Sequence, residues 1–378
     1  MKILILGGGI SGLAAGWYAR KKYPRASITL LEKAPDLGGC LAWGPRIFPY
    51  HRSPHLLQLI EELGLTQEIV GPITGNRYVL HNGKLKSLMR VALPFLPRMC
   101  LEPFFVSDAA AKDESVAMWG RRRFGGGALN RMIDPFCLGI YGTAPETLSV
   151  QMAFPLFAGK ASVVRALLGK RQKGGLFALR GGMRQLVDAL VKRLDIEIVC
   201  NAEITHIERG QVIANERLYK ADEIISALPL KALARLASAW PHCASVPLWV
   251  VTMQMDRRLV PPGFGYLVPS AAKRDLLGMI FHDSELIAMV RGHLSQSEAK
   301  ACALHALTQD LSIQHAPSCL HIVLAQDTLP HFYVGYLNDL RLFQQHVKEK
   351  FNFTLLGNYL EGPSVDTCIK LVQNLFRN

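Results

Sequence analysis

The strongest constraint on this chain lies at its start. Lys2-Ile3-Leu4-Ile5-Leu6 is short and apolar, as a strand buried in a parallel sheet should be. It runs straight into Gly7-Gly8-Gly9-Ile10-Ser11-Gly12, a G-x-G-x-x-G pattern, and helical spacing follows from Ser11 to about Lys22. A second strand is expected over Ser27–Glu32, which places Glu32 20 residues beyond Gly12. In such a unit Gly7 permits the tight turn, Gly9 lets backbone approach a pyrophosphate, and Gly12 lets helix and strand pack closely. The helix N-terminus faces the anion and Glu32 binds a ribose hydroxyl. A glycine-rich turn without a ligand is the plainer alternative, but strand, helix and acid in register favour a dinucleotide site. A carboxylate at Glu32 would repel a 2′-phosphate, which disfavours NADP. Gly38-Gly39 follows closely, a flavoprotein habit, and no second G-x-G-x-x-G serves a nicotinamide. The pattern points to FAD.

At about 150 residues per domain, 378 residues suggest two to three domains. Hydrophobic residues make up 49% and charged residues 19%, below the roughly 25% of an average soluble protein, so disordered and low-complexity classes are excluded. No apolar stretch reaches ~18 residues, and no secretory h-region precedes the glycines, so neither a spanning helix nor a signal peptide is expected. The eight cysteines form no C-x-x-C pair, and no metal site is expected. This cysteine usage fits a reduced, cytoplasmic protein.

The net charge of +13 is concentrated. From Arg77 to Arg184 there are 17 basic and 6 acidic residues, a balance of +11. Ile69 to Leu101 and Thr147 to Val187 contain no acid, and both mix cations with large apolar residues, as in Lys84-Leu85-Lys86 through Arg90 to Leu93-Pro94-Phe95-Leu96. Such a surface suits an anionic bilayer or a substrate bearing carboxylates. Solvated basic helix faces are the ordinary alternative. Nucleic acid is disfavoured, because no recognisable binding motif accompanies the charge.

Spacing predicts a helix-rich middle over roughly 85–190, punctuated by prolines, and a helix over Gln185–Arg193. Strands are expected over Ile196–Cys200, Ile204–Arg209 and Glu223–Ser226, with Gln211–Tyr219 as a hairpin partner. Leu248–Asp256, Gly265–Val268 and Leu277–Phe281 suggest an antiparallel sheet. The strand Phe353–Leu356 and the helix Ser364–Leu375 close the chain. The domains are expected to interleave.

Several blocks resemble the flavin-containing amine oxidase and phytoene desaturase superfamily, and within it the oxygen-dependent protoporphyrinogen oxidase family. They are Gly44-Pro45-Arg46-Ile47-Phe48; Arg122-Arg123-Phe124-Gly125; Asp134-Pro135-Phe136-Cys137-Leu138-Gly139-Ile140-Tyr141-Gly142; Gly181-Gly182-Met183; Gly263-Phe264-Gly265-Tyr266-Leu267-Val268-Pro269; and Gly357-Asn358-Tyr359 with Gly362. Departures are Cys40 where the family has Arg, Thr143-Ala144 for Gly-Asp, Ala325 for Trp, and Pro330-His331-Phe332 for Pro-Gln-Tyr.

The resemblance implies an α/β fold. A Rossmann-like FAD-binding domain (1–76, 183–235, 330–378) would interleave with a helical, basic, membrane-docking insertion (77–182) and an antiparallel-sheet substrate domain (236–329). It implies non-covalent FAD held by Gly7, Gly9, Ile10, Ser11, Gly12, Glu32, Lys33, Gly38, Gly39, Gly44, Pro45, Arg46, Ile204, Gly357, Asn358, Gly362, Ser364 and Val365. The implied reaction takes protoporphyrinogen IX to protoporphyrin IX, with hydride passing to flavin N5 and oxygen as acceptor. No side chain is assigned to catalysis. The Gly139 backbone approaches a pyrrole, Phe264 and Leu267 pack on the macrocycle, Arg77 binds a propionate, and Val290 lines the slot. Implied partners are an anionic membrane surface, met peripherally from the inner face, and a neighbouring haem-pathway enzyme. Coproporphyrinogen III is the alternative substrate. An amine or carotenoid oxidase, or a non-enzymatic binder like the GDP-dissociation inhibitors, is remoter.

Overall fold

The computed structural model describes residues 1–42, 44, 46–73, 75–105, 113–155 and 175–377. It divides into two compact, interleaved units: Met1–Ile73, Lys173–Ala244 and Leu337–Asn378 form one, Thr74–Gln172 and Ser245–Tyr336 the other.

The first unit is built on a five-stranded parallel sheet. Its order is Thr354–Leu355, Glu223–Ser226, Lys2–Leu6, Ser27–Leu31 and Glu197–Val199. The first strand is central, which is why it reads as unbroken apolar sequence: Ile3 to Leu6 are all buried. The helix Ile10–Lys22 packs against the helices Gly182–Arg193 and Val365–Phe376. Leu13, Ala14, Leu186, Leu190, Ile369 and Val372 fill that core. The run Gln211–Tyr219 is a hairpin in its own right rather than a single partner strand. Gln211–Ala214 and Arg217–Lys220 turn at Asn215 and Glu216, both at positive φ (45° and 62°), the twist a two-residue hairpin loop requires.

The second unit carries a seven-stranded sheet. Its order is Cys319–Ala325, Leu248–Gln254, Glu285–Arg291, Leu276–His282, Gly265–Leu267, Arg77–His81 and Lys84–Ser87. All neighbours are antiparallel except Gly265–Leu267 beside Arg77–His81. Residues 77–87 are therefore strand, not helix, and residues 77–172 share one unit with the sheet instead of forming a domain of their own. The helix Gln296–Leu311 covers one face, where Ala299, Ala303 and Leu307 meet Tyr266, Val268 and Val290 in the core.

The helix Asp134–Tyr141 packs on strands Gly265–Leu267 and Leu276–His282. Pro135 has no N–H for the carbonyl four residues back, and the preceding turn, Leu129–Ile133, widens to a π turn. Gly142 ends the helix in the left-handed conformation at φ 62°. Within the helical segment the Arg123 guanidinium donates to Glu102, and both side chains are fully buried. No helix among the described residues is long and apolar enough to cross a membrane.

Removing one partner from a buried ion pair strands the other charge in a low dielectric. Glu102→Ala is expected to lower stability by about 3–5 kcal/mol in denaturant unfolding. A loss below about 1 kcal/mol, the scale of exposed pairs, would show that water reaches the site.

Candidate functional site

The glycines of the first turn divide into two kinds. A Cβ on Gly12 would lie 1.9 Å from the Gly7 carbonyl oxygen, and one on Gly7, which sits at φ 100°, would lie 2.9 Å from the Ala227 carbonyl. Those two are required by the chain's own packing. A Cβ on Gly9 would meet nothing within 4 Å, and Gly9 has an ordinary φ of −73°. No protein atom explains a glycine there, and the room it leaves lies at the N-terminus of the helix Ile10–Lys22. That helix has no side-chain cap, so its first N–H groups are open to an anion. This fits a pyrophosphate.

The other expected residues gather around this turn. The Glu32 carboxylate accepts from Gly8 N at 2.6 Å and from Ala34 N at 2.9 Å. Gly38 N donates to the Gly8 carbonyl at 2.8 Å, and Gly9 and Gly38 form a parallel bridge. Gly39, exposed and at φ 53°, faces the Gly9 Cα. Glu32 thus holds the glycine turn, a role the spacing alone did not show. Ala202 N donates to the Glu32 backbone carbonyl at 2.8 Å, and Ile204 follows two residues after Ala202. Lys33 is exposed beside it, and Gly44 and Arg46 are half-buried. Pro45 lies outside the described residues.

At the other end of the unit, Gly357 and Gly362 sit at φ 149° and 118° on either side of the short helix Asn358–Glu361. Ser364 precedes the helix Val365–Phe376, which also lacks a side-chain cap. The buried Ser11 hydroxyl meets the Cys368 thiol, tying the first helix to the last. Burial pushes that thiol up to about 12, so it is a poor nucleophile and fits a cofactor that is bound without a covalent link. Cys40, where the resembling family has Arg, is also raised by burial and supplies no charge.

In the second unit, two pairs of expected residues come together. Arg77, exposed, lies over the Phe264 ring at 5.6 Å. Gly263, at φ 120°, allows this: a Cβ on it would lie 2.5 Å from the Asn76 carbonyl, while Phe264 N donates to that same oxygen at 3.0 Å. Gly139 meets Leu267, whose Cδ2 would be 2.3 Å from a Cβ on the glycine. Leu267 also leans on Gly278, where a Cβ would lie 3.3 Å from the same methyl. Residues paired across strands share a face, so Arg77, Val79, Gly265, Leu267, Gly278 and Met289 line one side of the sheet.

Val290 requires a correction. It is fully buried in the core beneath Gln296–Leu311, with Tyr266 and Val268, and strand alternation turns it away from the Leu267 face. Met289, paired with Gly278, holds the position on Leu267's side. Gly278 was missed as a wall residue; a glycine inside an apolar strand is the signal that marks it. Among the described residues no cluster of His, Cys, Asp or Glu could hold a metal. His51 and His55 have ligand-like spacing, but Pro54 opens a helix between them and His55 bonds Gln373.

The family model described as flavin containing amine oxidoreductase matches residues 10–282. Protoporphyrinogen oxidase of Bos taurus is 26% identical over 458 aligned positions, covering 97% of this chain and 96% of the relative. Coproporphyrinogen III oxidase of Bacillus subtilis is 25% identical, covering 97% and 95%. A crystal structure from Exiguobacterium sp. 255-15, solved under the provisional name protoporphyrinogen oxidase, aligns with TM-score 0.86 at 21% identity over 100% of this chain and 98% of that one. Cyclohexylamine oxidase from Brevibacterium oxydans aligns with TM-score 0.73 at 15% identity over 100% and 99%. At these identities the two structures speak to the fold.

Gly9→Ala separates ligand space from packing. The variant is expected to keep the stability of the ligand-free chain while FAD occupancy falls sharply. Glu32→Ala is expected to weaken FAD by about 1.5–3 kcal/mol, since a charge-assisted bond is lost and Gly8 N loses its acceptor. Flavin titration and thermal unfolding of both variants check this; wild-type FAD affinity in Gly9→Ala would refute the site.

Proposed function

Since the chain belongs to the flavin-containing amine oxidoreductases and carries their FAD, we propose that it is a porphyrinogen oxidase acting on protoporphyrinogen IX. The single observation that carries this reading is the wall on the second unit's sheet. It is apolar, opened by Gly139 and Gly278, and edged by the exposed Arg77. A reduced tetrapyrrole is a broad apolar ring with anionic arms, and these features answer both parts. When bound, FAD would supply the redox chemistry, taking two electrons from the substrate, whose proton is lost to solvent, with oxygen as the terminal acceptor.

The chain's residues do the rest. Leu267 and the Gly139 backbone present a flat apolar contact that excludes water from the ring. Phe264 backs the Arg77 guanidinium by a cation–π contact and holds it toward a propionate. Their work is orientation. Coproporphyrinogen III, with four carboxylates, is the second reading, favoured by the +11 balance between Arg77 and Arg184.

The same basic segment supports peripheral attachment to the anionic inner face of a membrane. Met89, Leu93 and Leu96 are exposed next to exposed Lys84, Lys86, Arg90 and Arg98. Apolar side chains entering the interface and cations at the phosphates act together there, at about 1 kcal/mol per cation.

Anaerobic mixing with each porphyrinogen tests the reading. Protoporphyrinogen IX is expected to bleach the flavin, and readmitted oxygen to restore it with peroxide formed. Arg77→Ala is expected to raise KM at least about tenfold, from the loss of roughly 1.5–3 kcal/mol, with flavin content unchanged. Faster bleaching by coproporphyrinogen III would transfer the assignment to that substrate. Sedimentation with vesicles checks attachment. Leu93, Phe95 and Leu96 changed to Ser should reduce the salt-resistant part, and Lys84, Lys86 and Arg90 changed to Gln the salt-sensitive part. A protein that stays in the supernatant at every anionic content would overturn the membrane reading.

A further inference from the structure

One buried carboxylate of the second unit has no part in the reading above. Asp134 stands where the π turn Leu129–Ile133 passes into the helix Asp134–Tyr141 and is almost wholly buried. The backbone is helical on both sides of it, so its own helix offers the carboxylate no free N–H groups. Its partners lie on another segment. Its Oδ2 accepts from Ser270 N at 2.7 Å and its Oδ1 accepts from Ser270 Oγ at 2.6 Å. Both oxygens are thus committed to a loop three residues past the strand Gly265–Leu267.

The position of this clasp gives it a consequence. Gly139 lies five residues along the helix from Asp134, and Leu267 three residues before Ser270. The clasp and the Gly139–Leu267 contact therefore join the same two pieces of chain at two points. At the second point there is no slack, because a Cβ on Gly139 would come within 2.3 Å of Leu267 Cδ2. Burial raises the Asp134 carboxyl and the two Ser270 bonds lower it, so the clasp is held against a desolvation cost. Cys137, three residues along the helix from Asp134, is fully buried, so its exposure reports whether the helix stays packed.

We propose that Asp134, through Ser270, is a positioning residue that sets the spacing between the Gly139 backbone and Leu267 and so controls how a tetrapyrrole lies on the wall. The proposal rests on the porphyrinogen reading for its substrate, but the clasp itself can be tested without any substrate.

The experiment uses the flavin-loaded protein and the variants Asp134→Ala, Asp134→Asn, Ser270→Ala, Leu267→Ala, Arg77→Ala and the doubles of Asp134→Ala with the last two. Asp134→Ala is expected to retain flavin and lose about tenfold or more in kcat/KM, within the range a small misplacement costs. Asp134→Asn keeps an acceptor for Ser270 N and should recover most of that loss. Ser270→Ala, which removes one of the two bonds, should fall between. If the clasp acts through Leu267, the Asp134→Ala and Leu267→Ala effects combine less than multiplicatively, whereas those of Asp134→Ala and Arg77→Ala multiply. Without substrate, iodoacetamide should label Cys137 faster in Asp134→Ala than in the wild type, read by mass spectrometry. Unchanged kcat/KM in Asp134→Ala, independent effects of Asp134→Ala and Leu267→Ala, or Cys137 protected as in the wild type would each overturn the proposal. Should Asp134→Ala fail to fold, the Asn and Ser270→Ala variants carry the same comparisons. If no porphyrinogen reduces the wild-type flavin, the substrate reading fails on its own, and the Cys137 labelling still decides whether Asp134 holds the helix.

Discussion

The first helix reaches the first strand because Gly12 has no side chain. With any other residue, a Cβ would sit 1.9 Å from the Gly7 carbonyl, and the helix would have to move away. Much of the dinucleotide unit hangs on that approach. It aims an uncapped helix N-terminus at the space beside Gly9. It brings Gly8 N to the Glu32 carboxylate and the Gly8 carbonyl to Gly38. Gly38 in turn is pressed by Val187, where a Cβ would lie 3.0 Å from its methyls, so the helix Gly182–Arg193 is seated by the same turn. A short run of small residues therefore positions two helices and one acid.

The second unit reaches its wall by a different route. Its sheet is a middle layer, with the long helix Gln296–Leu311 sealing one face and the helix Asp134–Tyr141 packed on the Leu267 side of the other. Strand alternation then assigns the side chains. Tyr266 and Val268 go to the core, where the Tyr266 hydroxyl donates to Asp310, while Leu267 goes to the wall. Glycine recurs wherever backbone must come close: Gly263 beside Asn76, Gly139 and Gly278 against Leu267. Just beyond the Gly139–Leu267 contact, Asp134 bonds Ser270 and ties the same two segments together.

Legibility in the sequence followed how local the cause was. The opening strand, turn and helix were readable because each rests on a local rule, namely an apolar run, a glycine pattern and a 3.6-residue period. The strands Glu285–Arg291 and Cys319–Ala325 were not read, since their apolar residues alternate weakly: the first is the return strand of a hairpin with Leu276–His282, and the second pairs with Leu248–Gln254 much earlier in the chain. Residues 77–87 look like part of a helical insertion because the stretch is basic and apolar, yet Asn82-Gly83 is a hairpin turn signal, and Arg77–His81 and Lys84–Ser87 pair across it. The non-local part is the seat of Arg77–His81 beside Gly265–Leu267, nearly two hundred residues away. Val290 was placed in the slot by resemblance; the pleat places it on the other face.

By itself the sequence determined a dinucleotide-binding start, the acid that serves it, the absence of an obvious catalytic dyad and the concentration of charge between Arg77 and Arg184. These are statements about composition and spacing, and they need no partner to be true. Only the tertiary structure decided which glycines are packing necessities and which leave room for a ligand, because a missing Cβ has meaning only against its neighbours. It also decided which side of a strand faces the wall, and that Asp134 bonds Ser270, 136 residues along the chain. Such choices depend on residues distant in sequence meeting within a few ångströms, and no local pattern contains that distance.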